Sequence, residues 1–235
     1  GLPLWVDGVA LVLGLVLVVT GVRALLPPGT LRVERGLPTT VVMRGILAGA
    51  FFGAEAFIPL ALVEQRGLTI TVAGLALSVS ALGWWIGSYA QSRIPESTDR
   101  SRTVRAGALI VVVGLVSLPL CLIPAVPPMI CVVSYFIASL GMGLCFPSIA
   151  VQTLRLSPVD AQGVNSASLQ ISDAILSALA LGLLGAVHAA AVAQGGATTA
   201  TYDAIWWAAA AVALAGAFLA ARMKPVSAVP VGHTS

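Results

Sequence analysis

The chain has 235 residues, 58% of them hydrophobic and 9% charged, with a formal net charge of +3. Several separate apolar runs approach or exceed about 18 residues, which excludes an ordinary soluble domain. The runs are continuous rather than alternating, which excludes a transmembrane β-barrel and leaves an all-α polytopic membrane protein.

Seven spans are predicted in chain order. The first covers about 4–26 and is closed by Pro27-Pro28. The second, about 41–63, reads VVMRGILAGAFFGAEAFIPLALV and carries Glu55 near its middle, with Gly49, Gly53 and Pro59 around it. A carboxylate at mid-bilayer costs roughly 2.5–3.5 kcal/mol on insertion scales, so this acid is expected in a bundle interior or a wet cavity. The third span is about 71–91, the fourth 104–123, the fifth 128–151, the sixth 163–192 and the seventh 202–223. The three cysteines, Cys121, Cys131 and Cys145, fall inside these runs and read as small apolar packers.

Eleven of the twelve basic residues fall in one set of connections: Arg23, Arg32, Arg35 and Arg44; Arg93, Arg100, Arg102 and Arg105; Arg155; Arg222 and Lys224. Arg66 stands alone on the other side. By the positive-inside rule the arginine-rich end is cytoplasmic, the N-terminus of this piece outside and its C-terminus inside. Trp5, Tyr202, Trp206 and Trp207 fall at the opposite, outer ends of their spans, as interfacial anchors do. The chain begins at Gly1 with no basic leader before the first span, so the expectation is of a piece of a longer protein.

Polar residues inside the spans are the candidate functional groups. On the sixth span Gln162, Ser166, Gln170, Asp173 and Ser177 lie within about 80° of one another, a stripe expected to face other helices or water. Asp173 falls in the inner third and is expected either to couple protons or to pair with a loop arginine such as Arg155 or Arg93. Glu55 and Asp173 are the proton-coupling candidates, because a membrane carboxyl suits reversible proton binding. Gln170, Ser166, Ser177, Tyr135, Ser139 and Trp84 are the substrate-cavity candidates. Aromatic walls from Trp84, Trp85 and Tyr135 would suit planar or cationic organic compounds. Helix bends are expected at Gly53–Pro59 and across Gly141–Pro147, and Gly49-x-x-x-Gly53 and Gly83-x-x-x-Gly87 read as packing motifs.

Enzyme signatures are missing: the sequence has no HExxH, no GxSG and no phosphate-binding loop. His188 and His233 stand apart and support no metal site, and nothing suggests nucleic-acid binding.

This organisation resembles the major facilitator superfamily, specifically a C-terminal six-helix half with one helix before it. The basic connection 27–40 falls where that family links its two halves. Gly87-Ser88-Tyr89-Ala90-Gln91-Ser92-Arg93, followed by Arg100, Arg102 and Arg105, is similar to the second copy of the family's G-x-x-x-D-R-x-G-R-R loop signature. Gln91 stands where the Asp would be, and extra residues separate the arginines. Gly141-x-Gly143-x-x-x-Pro147 is similar to the Gly-rich tenth helix, and Gly163-x-x-Ser166 through Gln170 to Gly182 and Gly185 looks like the eleventh. The resemblance implies a preceding helix over 1–26, a linker over 27–40, a six-helix half over 41–223 and a short disordered tail over 224–235.

Within that superfamily the pattern looks most like bacterial drug:proton antiporters. That likeness implies an inner-membrane secondary transporter exporting hydrophobic or drug-like small molecules, with the proton gradient as energy source and no cofactor. Its partners would be the lipid bilayer, the substrate and the missing N-terminal half of the same chain. Uptake of a sugar or metabolite is one alternative, and a non-transporting seven-helix receptor or scaffold is another.

Overall fold

The computed structural model describes residue 21 and residues 25–224. The expected first span except its last residues, with Trp5 and Arg23, lies outside the described residues, as do His233 and the tail beyond Lys224. The described residues fold as eight α-helices: α1 (Leu37–Glu55), α2 (Ile58–Arg66), α3 (Ile70–Ser78), α4 (Ser80–Ser92), α5 (Arg100–Ser117), α6 (Ile130–Leu156), α7 (Gln162–Ala193) and α8 (Thr199–Leu219). They group into six helices long and apolar enough to cross a membrane: Leu37–Arg66, Ile70–Ser92, Arg100–Leu122, Ile130–Leu156, Val159–Ala193 and Thr199–Met223. No strand occurs among the described residues.

The first of these is two helices because of one proline. Pro59 has no N–H to give the carbonyl of Glu55, so α1 ends at Glu55 and α2 restarts at Ile58. Across the joint, Phe57 N–H reaches only back to Ala54 O at 3.2 Å. The start of α1 corrects the expected linker. The helix begins at Leu37 with Pro38 in its first turn, where a missing N–H costs nothing, so the connection ends at Gly36 rather than at residue 40. Gly36 N–H donates to Arg222 O at 2.9 Å, tying the connection to the end of α8.

Across Gly141–Pro147, where a bend is expected, the helix is not interrupted. Pro147 lies inside α6, which runs unbroken from Ile130 to Leu156. The carbonyl that Pro147 leaves free is that of Gly143, and Ser88 Oγ of α4 donates to it at 3.3 Å. An interruption absent from the sequence expectation does appear at Val79 between α3 and α4, where Ser80 Oγ donates back to Leu77 O at 2.6 Å.

Helix α6 packs between α4 and α5 and also touches α1, while α1 lies against α7 and α8, and α8 closes back onto α5. Glycines set the close approaches. A Cβ on Gly45 would fall 2.5 Å from Ser172 O, and one on Gly49 would fall 2.8 Å from Leu176 O, so α1 and α7 touch backbone to backbone. Gly83 and Gly87 do the same for α4 against Phe136, Leu140 and Gly143 of α6. Gly87, the first residue of the loop-signature stretch, therefore sits inside a helix interface, as the Gly83-x-x-x-Gly87 packing reading expects. Trp206, Tyr202, Tyr135, Met43, Leu47 and Ile58 are among the largest fully buried side chains. Cys121, Cys131 and Cys145 are buried and free.

Candidate functional site

Glu55 closes α1, where the chain bends, and its partly exposed carboxyl borders a cleft of about 450 Å³ between α1 and α4. Phe51, Phe52, Trp84, Trp85 and Ser88 line the cleft with it. Glu55 forms no ion pair among the described residues. Beside its carboxyl lies the buried Tyr135 hydroxyl, close to it but without a well-formed hydrogen bond, and the Ser139 hydroxyl, one turn along the same face of α6, is buried and unpartnered among the described residues. An unpaired buried hydroxyl costs free energy unless water or a ligand reaches it, so these two groups mark a polar spot in an aromatic wall.

The wall is continuous. Tyr135 stacks on Phe51 at 4.8 Å between centroids, Phe51 meets Trp84 edge-on at 5.8 Å, and Trp84 meets Phe146 edge-on at 5.0 Å. Above Phe146 sits the Arg44 guanidinium, 3.4 Å from the ring centroid. Arg44 Nε in turn donates to Asp173 Oδ2 at 3.1 Å, and the side chains are only 13% and 17% exposed. The two membrane acids thus have different surroundings. Asp173 is half of an ion pair joining α1 to α7, whereas Glu55 faces a cleft.

The pairing corrects the expectation that Asp173 meets a loop arginine. Arg155 donates to Glu96 O at 2.6 Å and Arg93 to the Tyr89 hydroxyl at 2.6 Å, while Arg44 takes the acid. On α7 the buried face carries Asn165, Ser168 and Ser172, which cluster about 145° around the helix from Ser166 and Gln170 at ~100° per residue. Gln170 is exposed and Ser166 half-buried; Ser177 is half-buried with an unpartnered hydroxyl. Asn165 Nδ2 donates to Ser157 Oγ at 2.9 Å, which is interhelical glue that the sequence reading missed.

At the arginine-rich end, Asp99 caps α5, accepting from Ser101 N–H at 3.0 Å and from Ser101 Oγ at 2.7 Å. Lys224 Nζ lies 2.7 Å from its Oδ2 and the exposed Arg102 Nε 3.6 Å. Partial burial opposes ionisation, but the bonds from Lys224 and Ser101 outweigh it and hold the Asp99 carboxyl below its ordinary range. Arg100 is 4% exposed; one nitrogen reaches Ile94 O at 3.4 Å and two have no partner. Asp99 was legible as an N-cap, an Asp just before a long helical run, but the sequence reading passed over it.

The profile of the Major Facilitator Superfamily matches residues 2–181. The chain belongs to the Major Facilitator Superfamily. No curated protein matches it, so no relative supplies a substrate. A major facilitator is a transporter and not an enzyme, which removes the receptor reading and implies a lipid setting and a small-molecule substrate. In such a protein the arrangement around Glu55 offers a carboxyl for a proton or a cation, aromatic faces for a flat or charged organic group, and an interruption in the helix that bears the carboxyl.

Proposed function

We propose that the protein exports hydrophobic, drug-like small molecules in exchange for protons, with lipophilic organic cations as the best-suited class. The observation that carries this reading is the Glu55 carboxyl set in the Phe51, Phe52, Trp84 and Trp85 cleft without a cationic partner among the described residues. A carboxylate among ring faces attracts an organic cation twice, by charge and by the ring quadrupoles, and a proton on the same carboxyl cancels the first term. Proton and substrate then exclude each other, which is the minimal requirement of antiport. In this reading Glu55 couples, Tyr135, Ser139 and Trp84 shape the cavity, and Asp173 with Arg44 holds α1 and α7 together at the end taken as cytoplasmic. Ser166, Gln170 and Ser177 contribute at most to the cavity margin.

The test is dye efflux from energised cells expressing the full-length protein, wild type beside Glu55→Gln, with an uncoupler control. Uncoupler-sensitive efflux that disappears in Glu55→Gln supports the reading. Equal efflux in both proteins removes Glu55 from the coupling path.

A further inference from the structure

At the arginine-poor end of the bundle three titratable side chains from three helices meet. Glu64 of α2 is exposed, Tyr202 of α8 is 0% exposed, and His188 of α7 is half-buried. The Tyr202 hydroxyl donates to Glu64 Oε2 at 2.6 Å, and His188 Nε2 lies 3.2 Å from the same hydroxyl oxygen. Neighbouring contacts hold this geometry. Gln65 Nε2 donates to Ala197 O at 2.9 Å, Thr199 Oγ1 donates to Gln65 Oε1 at 3.2 Å, and Phe57 packs on the imidazole at 5.6 Å between ring centroids. Arg66, on the last turn of α2, is turned to the carbonyls of Cys121, Ile123 and Val126, and Asp203 is the next carboxyl along α8.

We propose that Glu64, Tyr202 and His188 form a proton-binding relay in which a single proton is shared between the carboxyl and the imidazole through the tyrosine hydroxyl. The hydroxyl has one hydrogen, which fixes the alternatives. With Glu64 ionised, Tyr202 donates to it and His188 must present Nε2–H to the Tyr202 oxygen. With Glu64 protonated, its hydrogen moves to the Tyr202 oxygen while the Tyr202 hydrogen moves to a bare His188 Nε2. That transfer leaves Glu64 a carboxylate, Tyr202 neutral and His188 an imidazolium, with no other bond changed. An exposed carboxyl thereby passes a proton through a buried hydroxyl to a histidine on α7, the helix that α1 touches along its whole glycine face. The shared-proton site stands on this geometry alone; its use in coupling rests on the antiport reading above.

The experiment is a pH titration of His188 by NMR in the full-length, histidine-labelled protein, with the His188 signal assigned by its loss in His188→Gln. Glu64→Gln removes one end of the bonded chain, so the proton affinity of His188 is expected to change about tenfold. Placed on a Tyr202→Phe background, the same substitution is expected to change it less than about threefold, since the bridge is gone. An unmoved His188 midpoint in Glu64→Gln, whose exposed position spares the fold, overturns the relay. A parallel efflux assay separates the two ideas. Wild-type efflux indifferent to an imposed pH gradient overturns antiport, and the His188 titration decides the relay by itself.

Discussion

Removing the Asp173 carboxyl leaves the Arg44 guanidinium in a nearly closed site with only the Phe146 ring beneath it. Breaking one half of a buried pair costs up to about 3 kcal/mol, whereas replacing both halves by apolar groups is often neutral. Asp173→Asn and Arg44→Met are therefore each expected to lower the melting temperature in detergent, and Arg44→Met with Asp173→Leu to recover most of the loss. A double variant as unstable as the sum of the singles would mean that the two residues act separately. Asp99 gives a second test. Its carboxyl is held low in the folded chain, so its contribution is present above the ordinary carboxylate range and is lost as pH falls through the depressed value. Asp99→Ala is expected to cost about 1 kcal/mol at neutral pH through the lost cap, and progressively less under acid, as thermal melts across pH would read. Of these residues the sequence singled out Asp173 but neither its partner nor Asp99. Arg44 and Asp173 lie far apart in the chain, and only the register of α1 on α7 brings them together.

That register is written in glycines. Gly45, Gly49 and Gly53 recur every fourth residue on α1 and bring it onto Ser172, Leu176 and Ala180 of α7. A side chain at Gly49 must push away the Leu176 carbonyl, so Gly49→Val is expected to lower stability by about 1–3 kcal/mol. Gly182 and Gly185, although part of the motif that looked like the eleventh helix, have open space around them among the described residues. Gly182→Ala is expected to be tolerated, and melting curves of the two variants side by side would check both. The elements themselves were legible because each span is a long apolar run and Pro59 marks its own break. Pro147 leaves its helix uninterrupted for a physical reason. Whether a proline breaks a membrane helix depends on whether a neighbour satisfies the freed carbonyl, and here that neighbour is Ser88 on another helix. The periodicity of α7 showed a polar face, and Asp173 on it meets Arg44 of α1, but periodicity alone did not show which neighbour each residue met.

Across the whole molecule, α1, α5, α6 and α8 supply most of the buried core, while α4 and α7 bury few residues each. The Glu55 cleft opens between one element of each kind, the core helix α1 and the peripheral α4. The family was legible from topology and loose motifs together rather than from any one signature. The cleft was only half legible. Trp84, Tyr135 and Glu55 were picked out separately, but Phe51 and Phe146, which join them into one wall, read as ordinary apolar residues. The central claim is that proton and organic cation compete for Glu55. Its most direct test is equilibrium binding of a lipophilic cation, tetraphenylphosphonium, to the purified full-length protein across pH, in wild type and Glu55→Gln. Wild-type affinity is expected to fall at least about tenfold from alkaline to acidic pH as the carboxylate is neutralised, and Glu55→Gln to bind weakly at every pH. Binding that is equally tight in both proteins and flat with pH would contradict it.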